Sequence, residues 1–441
     1  MKRTQLRPAV IGKDGRTTAI QRALRESPLV IGEVPCLSEG KKLADPDVLS
    51  KLYHAAESYE PDFIVIGPEE PLDAGVVDGL QLKLGIRCIG PTQTLARLES
   101  SKAFTRELVS RRDIPGNPNP RHKIFRRENI ADLRQYLESL GEFVIKPDGL
   151  TGGKGVRVWG DHLHSVRDAM DYAQELLSAH GHQAVIAEEK LDGEEFSLQS
   201  FCDGIHVRHM PVVQDHKRAW VNDEGPNTGG MGSYSCADHR LPFLNERDVE
   251  AAKSINEAMA RALFSETAEK YRGILYGGFM LTREGVRLIE YNARFGDPEA
   301  LNVLSLLKTD FAEICLAILD ETLDRLEIDF EHKATVCKYV VPEGYPDQPV
   351  KDRAIDLSGV PPQSERLRHY AAALEERDGL QYLTGSRAIA FVGIGSTIQE
   401  AEAIAEDAAS AVRGPVYHRE DIGTQLLIQR RCDHISRLRS A

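Results

Sequence analysis

Short apolar runs alternate with helix-periodic stretches over residues 1 to 98, and this pattern predicts an open parallel α/β sheet. The runs PAVIG, DFIVIG and IRCIG are short, apolar and rich in β-branched residues, as buried parallel strands are. Helical stretches lie between them in TTAIQRALRES, in DVLSKLYHAAESY and from Asp73 to Leu84. Because ligands of such sheets bind beyond the carboxyl ends of the strands, we expect a crevice at that edge.

Each of these strands is followed by a loop rich in glycine, proline and charge. The loops are Gly12-Lys13-Asp14-Gly15, Gly67-Pro68-Glu69-Glu70-Pro71 and Gly90-Pro91. They either converge on one ligand in the crevice or form ordinary turns, and the residue types alone fit both interpretations.

The segment FVIKPDGLTGGKG, from Phe143 to Gly155, predicts a hairpin with a glycine-rich tip. An apolar strand with Lys146 precedes the tip, Lys154 lies within it, and the run VRVW alternates as a second strand. Glycines such as Gly152 and Gly153 let backbone N–H groups approach phosphate oxygens, and two ammonium groups offset the charge of a triphosphate. No GK[ST] signature follows a strand, so the tip is not a Walker A loop. A flexible hairpin without a ligand is the alternative interpretation.

The rest of the chain divides into a small module, a larger mixed region and a C-terminal domain. A helix starts at Lys102 and leads into the proline-rich stretch IPGNPNPRH, after which residues 122–192 form an α+β module around the glycine loop. Beyond residue 328 we expect strands and one long helix, and we interpret the polar segment 358–378 as a loop with a short helix. The expected domains are 1–98, 99–328 with the module at about 122–192 as its lid, and 329–441.

The run VRLIEYNARFGDPE predicts a strand with polar side chains on one face. Residues two apart on a strand face the same way, so Glu290 and Asn292 project together while Ile289 and Tyr291 face the opposite side. A carboxylate and an amide oxygen suit a Mg²⁺ ion that bridges nucleotide phosphates. Arg294 continues this face and can grip a phosphate with its planar guanidinium group. The alternative is a partly buried Glu–Arg ion pair in a structural strand.

Two further segments are rich in acidic residues or glycine. The run from Glu188 to Leu191 ends a predicted strand, whose backbone can pair with adenine edges, and the Glu195 carboxylate can accept from ribose hydroxyls. An acidic solvated turn has the same composition. The run from Gln214 to Arg218 precedes GPNTGGMGSYS, whose glycines favour a shaped loop around a ligand. We assign His216 no proton-transfer role.

Composition narrows the class of protein. The chain has 441 residues with a formal net charge of -13 and no long basic run, which argues against a nucleic-acid partner. No apolar stretch reaches the ~18 residues of a membrane span, and the basic start lacks the apolar region of a signal peptide. Seven cysteines without CxxC spacing predict free thiols, so we expect a cytoplasmic protein that is a monomer or small homo-oligomer.

Several segments together resemble the phosphoribosylamine–glycine ligases (glycinamide ribonucleotide synthetases) of the ATP-grasp superfamily. They are, in chain order, GPEEPLDAGVVD, ESSKAFTRELV, VIKPDGLTGGKGV, EEKLDGEEFS, QDHKRA, GPNTGGMGSYS, YGGFML, LIEYNARFGDPE, CKYVVPEGYP and YHREDIG. GPNTGGMG and NARFGDPE are specific to this family rather than to ATP-grasp enzymes in general. The resemblance implies an ATP-grasp fold with an N-terminal open parallel α/β (pre-ATP-grasp) domain, a small nucleotide lid and a C-terminal β/α domain.

The reaction implied by the resemblance joins glycine to 5-phosphoribosylamine and gives glycinamide ribonucleotide, ADP and phosphate, a step of de novo purine biosynthesis. A carboxylate resists attack by an amine, so ATP first converts it to an acyl phosphate, and catalysis is then mostly positioning and charge neutralisation. The implied small-molecule partners are ATP with Mg²⁺ or Mn²⁺, glycine or a similar acid, and phosphoribosylamine or another amine.

The resemblance also implies roles for individual residues. Those at ATP would be Lys102, Lys146, Gly152, Gly153 and Lys154 at the phosphates, Glu188, Glu189 and Leu191 near adenine, and Glu195 at ribose. Glu290 and Asn292 would hold the metal, and the catalytic residues would be Arg294, Lys146 and Asp215. Substrate binding would involve Asp215, Arg294 and the loop residues Asn227, Thr228, Gly229, Gly230 and Met231 for the acid, and Gly12, Gly15, Arg16, Gly67, Pro68 and Glu69 for the amine.

The N-terminal loops depart from the family pattern. The family opens with a GxGGREHA-like loop, whereas here Gly15, Arg16 and Ala19 stand but Thr17-Thr18 replaces the Glu–His pair. The next loop, usually proline-glycine-asparagine-like, is Leu37-Ser38-Glu39-Gly40. The amine acceptor is therefore either phosphoribosylamine or another amine, as in a paralogous ligase of secondary metabolism. A non-catalytic nucleotide-binding protein is the third hypothesis, but it predicts loss of the metal and phosphate residues, and these are present.

Overall fold

The computed structural model describes residues 5–38, 45–152, 155–178 and 182–440 of the chain. Its N-terminal part is a parallel three-stranded sheet in the order β1-β2-β3, with Ala9 opposite Ile64. The strands are β1 (Ala9–Ile11), β2 (Ile64–Ile66) and β3 (Cys88–Ile89), and the helices are α1 (Gly15–Arg25), α2 (Pro46–Tyr59), α3 (Glu70–Asp73), α4 (Val76–Leu84) and α5 (Gln93–Ser100). The predicted alternation is confirmed, but the single helix expected from Asp73 to Leu84 is wrong, because Gly75, at φ +70°, separates α3 from α4.

A long helix, α6 (Lys102–Arg111), leads from this sheet into the small module that we call the lid, residues 122–192. Its elements are β4 (His122–Phe125), α7 (Leu133–Leu140), β5 (Phe143–Pro147), β6 (Arg157–Val158), α8 (Val166–Ser178) and β7 (Val185–Glu189). The four strands form an antiparallel sheet in the order β4-β7-β5-β6, and Val144 pairs with Val158 across the predicted hairpin, which is thereby confirmed. The lid has a hydrophobic core of its own, built around Phe125, Phe143 and Tyr172.

The central region packs a four-stranded antiparallel sheet against a long helix. Its elements are β8 (Gly193–Asp203), β9 (Val207–His209), β10 (Gln214–Asp215), β11 (Arg218–Trp220), β12 (Glu224–Asn227), β13 (Gly232–Ser235), α9 (Glu246–Thr267), β14 (Arg272–Thr282), β15 (Gly285–Asn292), α10 (Glu299–Leu306) and α11 (Phe311–Leu319). The sheet order is β15-β14-β8-β9, so β15 lies at an edge, next to α6. A capping box at Asn245 and Asp248 starts α9, whose buried face covers this sheet.

The C-terminal region continues a sheet that begins in the central region. Its elements are β16 (Ala334–Pro342), β17 (Ala354–Ile355), β18 (Leu367–Ala371), β19 (Leu374–Arg377), β20 (Leu380–Leu383), β21 (Ile389–Gly395), α12 (Ile398–Ser410), β22 (Val416–Tyr417) and α13 (Gln425–Ser440). The order β10-β13-β16-β21-β18 places the strand that ends at Asp215 in the same sheet as the C-terminal strands. The loop expected at 358–378 is present only before β18, and the expected short helix is wrong, because β18 and β19 lie there.

One hydrophobic core joins the N-terminal, central and C-terminal regions, and it includes Ile64, Leu275 and Val336. The lid has a separate core, and a smaller cluster lies beneath α12. Of the helices in the described residues, none combines the length and the apolar character that crossing a bilayer requires.

Candidate active site

A cavity of about 240 Å³ lies beneath the glycine loop of the lid. Most of the predicted site residues line it: Arg16, Glu69, Lys102, Lys146, Gly152, Glu188, Asp215, Asn227, Thr228, Gly229, Glu290, Asn292 and Arg294. Arg387 of the C-terminal region also lines the cavity, so residues from all three main regions and from the lid contribute to one site. Gly153 and Lys154 fall outside the described residues.

Glu188 holds Lys146 in place at the lid side of the cavity. Lys146 Nζ lies 2.6 Å from Glu188 Oε2, and Arg106 donates to both carboxylate oxygens, at 2.6 and 3.1 Å. Burial alone would raise the pKa of Glu188, but Arg106 and Lys146 outweigh it and set the pKa at about 2. Glu188 is therefore ionised at neutral pH and fixes the position of the Lys146 ammonium group.

Lys102, at the start of α6, points to the glycine loop. Its Nζ donates to the Gly149 carbonyl at 3.0 Å, and the Asp148 carboxylate next to it accepts from the Ala103 N–H at 3.1 Å. Burial lowers the pKa of Lys102, Glu290 opposes this, and Lys146 adds to it. Two ammonium groups, of the buried Lys146 and the half-buried Lys102, thus face the same space, which suits a polyanion such as a nucleotide phosphate chain.

Glu290 and Asn292 project into the cavity from β15, as predicted, while the Tyr291 hydroxyl points to the other face and donates to Asn256 on α9. The expectation that Ile289 also faces away is wrong, because Ile289 is the extra residue of a β-bulge and lines the cavity. Gly278 pairs with Glu290 and Phe279 with Leu288, so Ile289 has no partner on β14.

The Glu290 carboxylate makes no hydrogen bond or ion pair with any described side chain. Burial raises its pKa, but Lys217, Lys102, Lys146 and Arg294 outweigh this and lower it. In the described part of the chain, no cluster of three His, Cys, Asp or Glu side chains is able to hold a metal ion by itself. One open carboxylate and the nearby amide oxygen of Asn292 fit a Mg²⁺-type ion that takes its other ligands from nucleotide phosphates and water.

Arg294 is held by two carboxylates. Its Nη2 lies 2.8 Å from Glu99 Oε1, its Nε lies 3.2 Å from Glu69 Oε2, and it also donates to Asn292 Oδ1 at 3.2 Å. Burial raises the pKa of Glu99, Arg294 opposes the effect, and Glu69 reinforces it. The guanidinium group therefore stands beside Asn292 in a fixed orientation, where it can face a phosphoryl group.

Arg16 approaches the same Glu69 from the side of the N-terminal loops. Its Nη2 lies 2.7 Å from the Asp14 carboxylate and 3.6 Å from Glu69, and its Nη1 donates to the Phe295 carbonyl at 2.8 Å. Burial opposes ionisation of Asp14, but Arg16 and Thr17 bring its pKa down to about 2. The charges Asp14, Arg16, Glu69 and Arg294 thus alternate in sign across the floor of the cavity.

The hydroxyls of Thr17 and Thr18, at the place of the Glu–His pair in the family pattern, both donate hydrogen bonds to other groups of the protein. Thr17 donates to Asp14 Oδ1 at 2.7 Å, and Thr18 donates to the Ala371 carbonyl of β18 at 2.6 Å. Tyr339 packs so closely against Gly15 that no larger residue fits there, because a Cβ would lie 1.9 Å from the Tyr339 hydroxyl. This loop therefore packs against the C-terminal region as well as facing the cavity.

Asp215 lies among other acids at the centre of the site. Burial raises its pKa to about 7; Lys217 opposes this, and Glu299, Glu195 and Glu290 reinforce it. Lys217 Nζ lies 2.7 Å from Glu195, and the Tyr276 hydroxyl donates to Glu299. A negative pocket of this kind fits an ammonium group of a substrate.

Arg387, between β20 and β21, reaches the glycine-rich loop of residues 227–231 from the C-terminal region. It donates to the carbonyls of Gly229, Gly230 and Asp297 at 2.6, 3.0 and 2.8 Å, and to Asp297 Oδ2 at 2.9 Å. Its guanidinium group lies 4.6 Å from the centre of the Tyr339 ring. The loop is thus fixed from outside the central region.

Nine predicted residues do not line the cavity: Gly12, Gly15, Gly67, Pro68, Glu189, Leu191, Glu195, Gly230 and Met231. Met231 is fully buried, Glu189 pairs with Arg121, and Glu195 pairs with Lys217. Conversely, several lining residues had no predicted role: Glu99, Arg106, Lys217, Tyr276, Asp297, Glu299 and Arg387. Glu99, Arg106 and Lys217 lie within the motifs ESSKAFTRELV and QDHKRA and could have been found there. Arg387 has no such signal.

Three family models match consecutive parts of the chain. The N domain of phosphoribosylglycinamide synthetase matches residues 7–99, its ATP-grasp (A) domain matches residues 100–300, and its C domain matches residues 335–425. The matches occur in chain order and together span most of the sequence.

Curated relatives are similar over almost the full length. The phosphoribosylamine–glycine ligase of Methanocella arvoryzae is 45% identical over 440 residues, which covers 98% of this chain and 99% of the relative. That of Methanocaldococcus jannaschii is 46% identical over 445 residues, with 98% and 99% covered.

Solved structures share the fold. The crystal structure of phosphoribosylamine–glycine ligase from Thermotoga maritima has a TM-score of 0.76 at 26% identity and covers 94% of this chain and 100% of that one. A biotin carboxylase from Campylobacter jejuni, solved as a β,γ-ATP complex, has a TM-score of 0.73 at 14% identity, with 98% and 99% covered. At that identity the second likeness concerns the fold alone.

Proposed function

The chain belongs to the phosphoribosylglycinamide synthetase family, and we propose that the cavity beneath the lid is its active site. The protein is an ATP-dependent carbon–nitrogen ligase that joins glycine to 5-phosphoribosylamine and gives glycinamide ribonucleotide, ADP and phosphate in purine biosynthesis. Its ATP-grasp fold, expected from the sequence, is confirmed. Similarity to relatives of one name over almost the full length, together with the match of the family's N domain to residues 7–99, favours phosphoribosylamine over another amine.

The observation that carries the site assignment is that the open carboxylate of Glu290 lines the same cavity as Lys102 and Lys146. ATP-grasp enzymes use ATP with a divalent metal, which when bound neutralises phosphate charge and orients the phosphate oxygens. We assign Mg²⁺ or Mn²⁺ to Glu290 and Asn292. Lys102 and Lys146, together with Lys154, bind the phosphates, and Arg294 faces the phosphoryl group that moves to the glycine carboxylate as an acyl phosphate.

We assign glycine, phosphoribosylamine, adenine and ribose to different parts of the cavity wall. Asp215 and the loop of residues 227–231 orient glycine, with the negative pocket around Asp215 toward its ammonium group. Arg16 and Glu69, with the loops that begin at Gly12 and Gly67, orient the phosphoribosylamine on the opposite side. Adenine lies near Glu188, Glu189 and Leu191. Glu195, which pairs with Lys217 here, has to exchange that partner to reach a ribose hydroxyl.

We retain the domain limits 1–98, 99–328 and 329–441 as working units, and the family matches and the separate core of the lid support them. All seven cysteines are free thiols, which supports action in a reducing compartment such as the cytoplasm.

The test is ADP release from ATP and glycine, measured with and without phosphoribosylamine that is generated in situ. We expect turnover that requires both glycine and phosphoribosylamine. Turnover with other amines, but not with phosphoribosylamine, would overturn the assignment of the acceptor. Equal ADP release without any amine would show that ATP hydrolysis is uncoupled from amide formation.

A further inference from the structure

The bulge at Ile289 decides which face of β15 carries the polar side chains. In a regular strand Leu288, Glu290 and Asn292 would share one face, and Leu288 is fully buried in the core. The extra residue reverses the alternation, because Leu288 pairs with Phe279 on the core side while Glu290 pairs with Gly278 on the cavity side. Without the bulge, the carboxylate would point into the hydrophobic core.

Arg106 occupies the outer side of this bulge. Its Nη1 donates to the Leu288 carbonyl at 3.0 Å and its Nη2 donates to the Ile289 carbonyl at 2.6 Å. Successive carbonyls of a regular strand point to opposite sides, so one side chain can bind both only where the pleat is broken. Since β15 is an edge strand, no neighbouring strand of its sheet supplies these hydrogen bonds on that side.

The same guanidinium group also reaches the lid. Two of its nitrogens bind the Glu188 carboxylate, whose other partner is Lys146 at 2.6 Å. Arg106 is almost fully buried, at 2% exposure, and Asn119 takes a further hydrogen bond at 3.1 Å. One side chain on α6 is therefore bonded both to the strand of Glu290 and to the carboxylate that holds Lys146.

We propose that Arg106 is a positioning residue that holds the bulge at Ile289 and the Glu188–Lys146 pair in one fixed arrangement. It thereby sets the distance between the metal-binding face of β15 and the phosphate-binding lysine of the lid. The inference rests on the proposed function, since it takes Glu290 and Asn292 as the metal site and Lys146 as a nucleotide contact. Arg106 acts through these residues and has no part in the chemical step.

The two connections of Arg106 can be separated by substitution. Arg106→Gln removes both, whereas Arg106→Lys keeps a positive charge for Glu188 but cannot bind two carbonyls and a carboxylate with one nitrogen. Glu188→Gln weakens the bonds of this carboxylate to Arg106 and Lys146 but leaves the bonds of Arg106 to the bulge in place. Glu290→Ala is the reference for loss of the metal ligand, and Arg111→Gln, an exposed change on the same helix, is the matched control.

Each full-length variant is assayed for binding and stability rather than for turnover alone. The affinity for Mn²⁺ is measured by electron paramagnetic resonance at saturating non-hydrolysable ATP analogue, nucleotide affinity by fluorescence titration, and folding by thermal unfolding. We expect Arg106→Gln to weaken Mn²⁺ binding roughly 10–100-fold, as loss of residues that orient metal ligands does, and to weaken nucleotide binding as well. Arg106→Lys is expected to weaken Mn²⁺ binding more than nucleotide binding, and Glu188→Gln the reverse.

Wild-type Mn²⁺ affinity in folded Arg106→Lys and Arg106→Gln proteins would overturn the inference. If Glu290→Ala abolishes Mn²⁺ binding in the same series, the proposed metal site stands and only the role of Arg106 fails. If Glu290→Ala also binds Mn²⁺ normally, the metal site itself fails and the inference fails with it. Should Arg106→Gln not fold, Arg106→Lys and Glu188→Gln still decide between these outcomes.

Discussion

The nucleotide side and the amine side of the cavity use charge differently. On the nucleotide side the Glu290 carboxylate has no hydrogen-bond partner among the described residues, and Lys102 and Lys146 approach the same space. On the amine side Asp14, Arg16, Glu69 and Arg294 neutralise one another in a chain of ion pairs. The first side is prepared for ligands that bring several charges, and the second has to rearrange some of its pairs when a ligand binds.

From this difference we expect the two sides to tolerate substitutions differently. A metal ligand and a phosphate-binding lysine have few substitutes, because their charge and reach are both required. The N-terminal loop instead depends on packing, in which Thr17 and Thr18 replace a Glu–His pair by bonding to Asp14 and to the Ala371 carbonyl. Substitutions on the nucleotide side should therefore act through charge, and substitutions on the amine side should act through packing.

Removal of the open carboxylate should have the largest effect. Glu290→Ala is expected to lower kcat by at least about a hundredfold, because a preorganised charge at the phosphates is lost. Glu284→Ala, in the exposed turn that starts the same strand, is the matched control and should stay near wild type. Near-normal turnover of Glu290→Ala with an unchanged melting temperature would contradict the metal assignment.

Crowding the amine side should disturb packing rather than nucleotide binding. A Cβ in Gly15→Ala would lie 1.9 Å from the Tyr339 hydroxyl, and we expect a loss of roughly 1–3 kcal/mol in the free energy of unfolding. The KM for phosphoribosylamine should rise more than the KM for ATP. The double variant Gly15→Ala/Tyr339→Phe should recover part of the stability, and no recovery would show that another contact is responsible.

The KM for glycine should depend on pH through Asp215. Because burial and neighbouring acids raise its pKa to about 7, its charged form increases between pH 6 and pH 8, while the glycine ammonium group stays protonated. The KM for glycine should therefore fall by up to about tenfold over this range. Asp215→Asn should have a higher KM that no longer depends on pH in this way, and a wild-type KM that rises with pH would refute the role.

The smallest effect is expected at an ion pair between the lid and the central region. Asp161, after β6, forms an ion pair with Arg218 of β11, and Lys217 of the cavity wall precedes Arg218 directly. Exposed pairs contribute roughly 0.2–1 kcal/mol, so Asp161→Arg should raise the KM for ATP by about 1.4- to 5-fold. Arg218→Asp alone should have a similar effect, and the exchanged pair Asp161→Arg/Arg218→Asp should restore the KM. Equal defects in all three variants would exclude a closing role for this contact.

Local patterns predicted the elements but not every boundary. The hairpin around Lys146, the parallel strands of the N-terminal region and the face of Glu290 and Asn292 follow from short-range alternation. No strand was predicted in segment 358–378, because β18 and β19 are short and mostly polar and their apolar–polar alternation is weak. The bulge at Ile289 adds one residue to an otherwise regular pattern and gives no compositional sign.

Contacts distant in sequence explain the rest of the site. Arg387 reaches the Gly229 and Gly230 carbonyls over more than 150 positions, and only the shared sheet brings them together. Arg106 lies in a motif that could be recognised, but its two connections depend on β15 being an edge strand next to α6. Charge and spacing along the chain do not identify the groups that Arg387 and Arg106 contact.

The sheet shared by β10, β13, β16, β21 and β18 has a consequence for dividing the protein. A truncated chain that ended before β16 would leave β13 with a bare hydrogen-bonding edge, next to the strand of Asp215. Such a fragment is expected to self-associate, although it would keep the lysines and Glu290. We therefore expect that the nucleotide-binding part of this enzyme cannot be separated from the C-terminal strands and used as an independent domain.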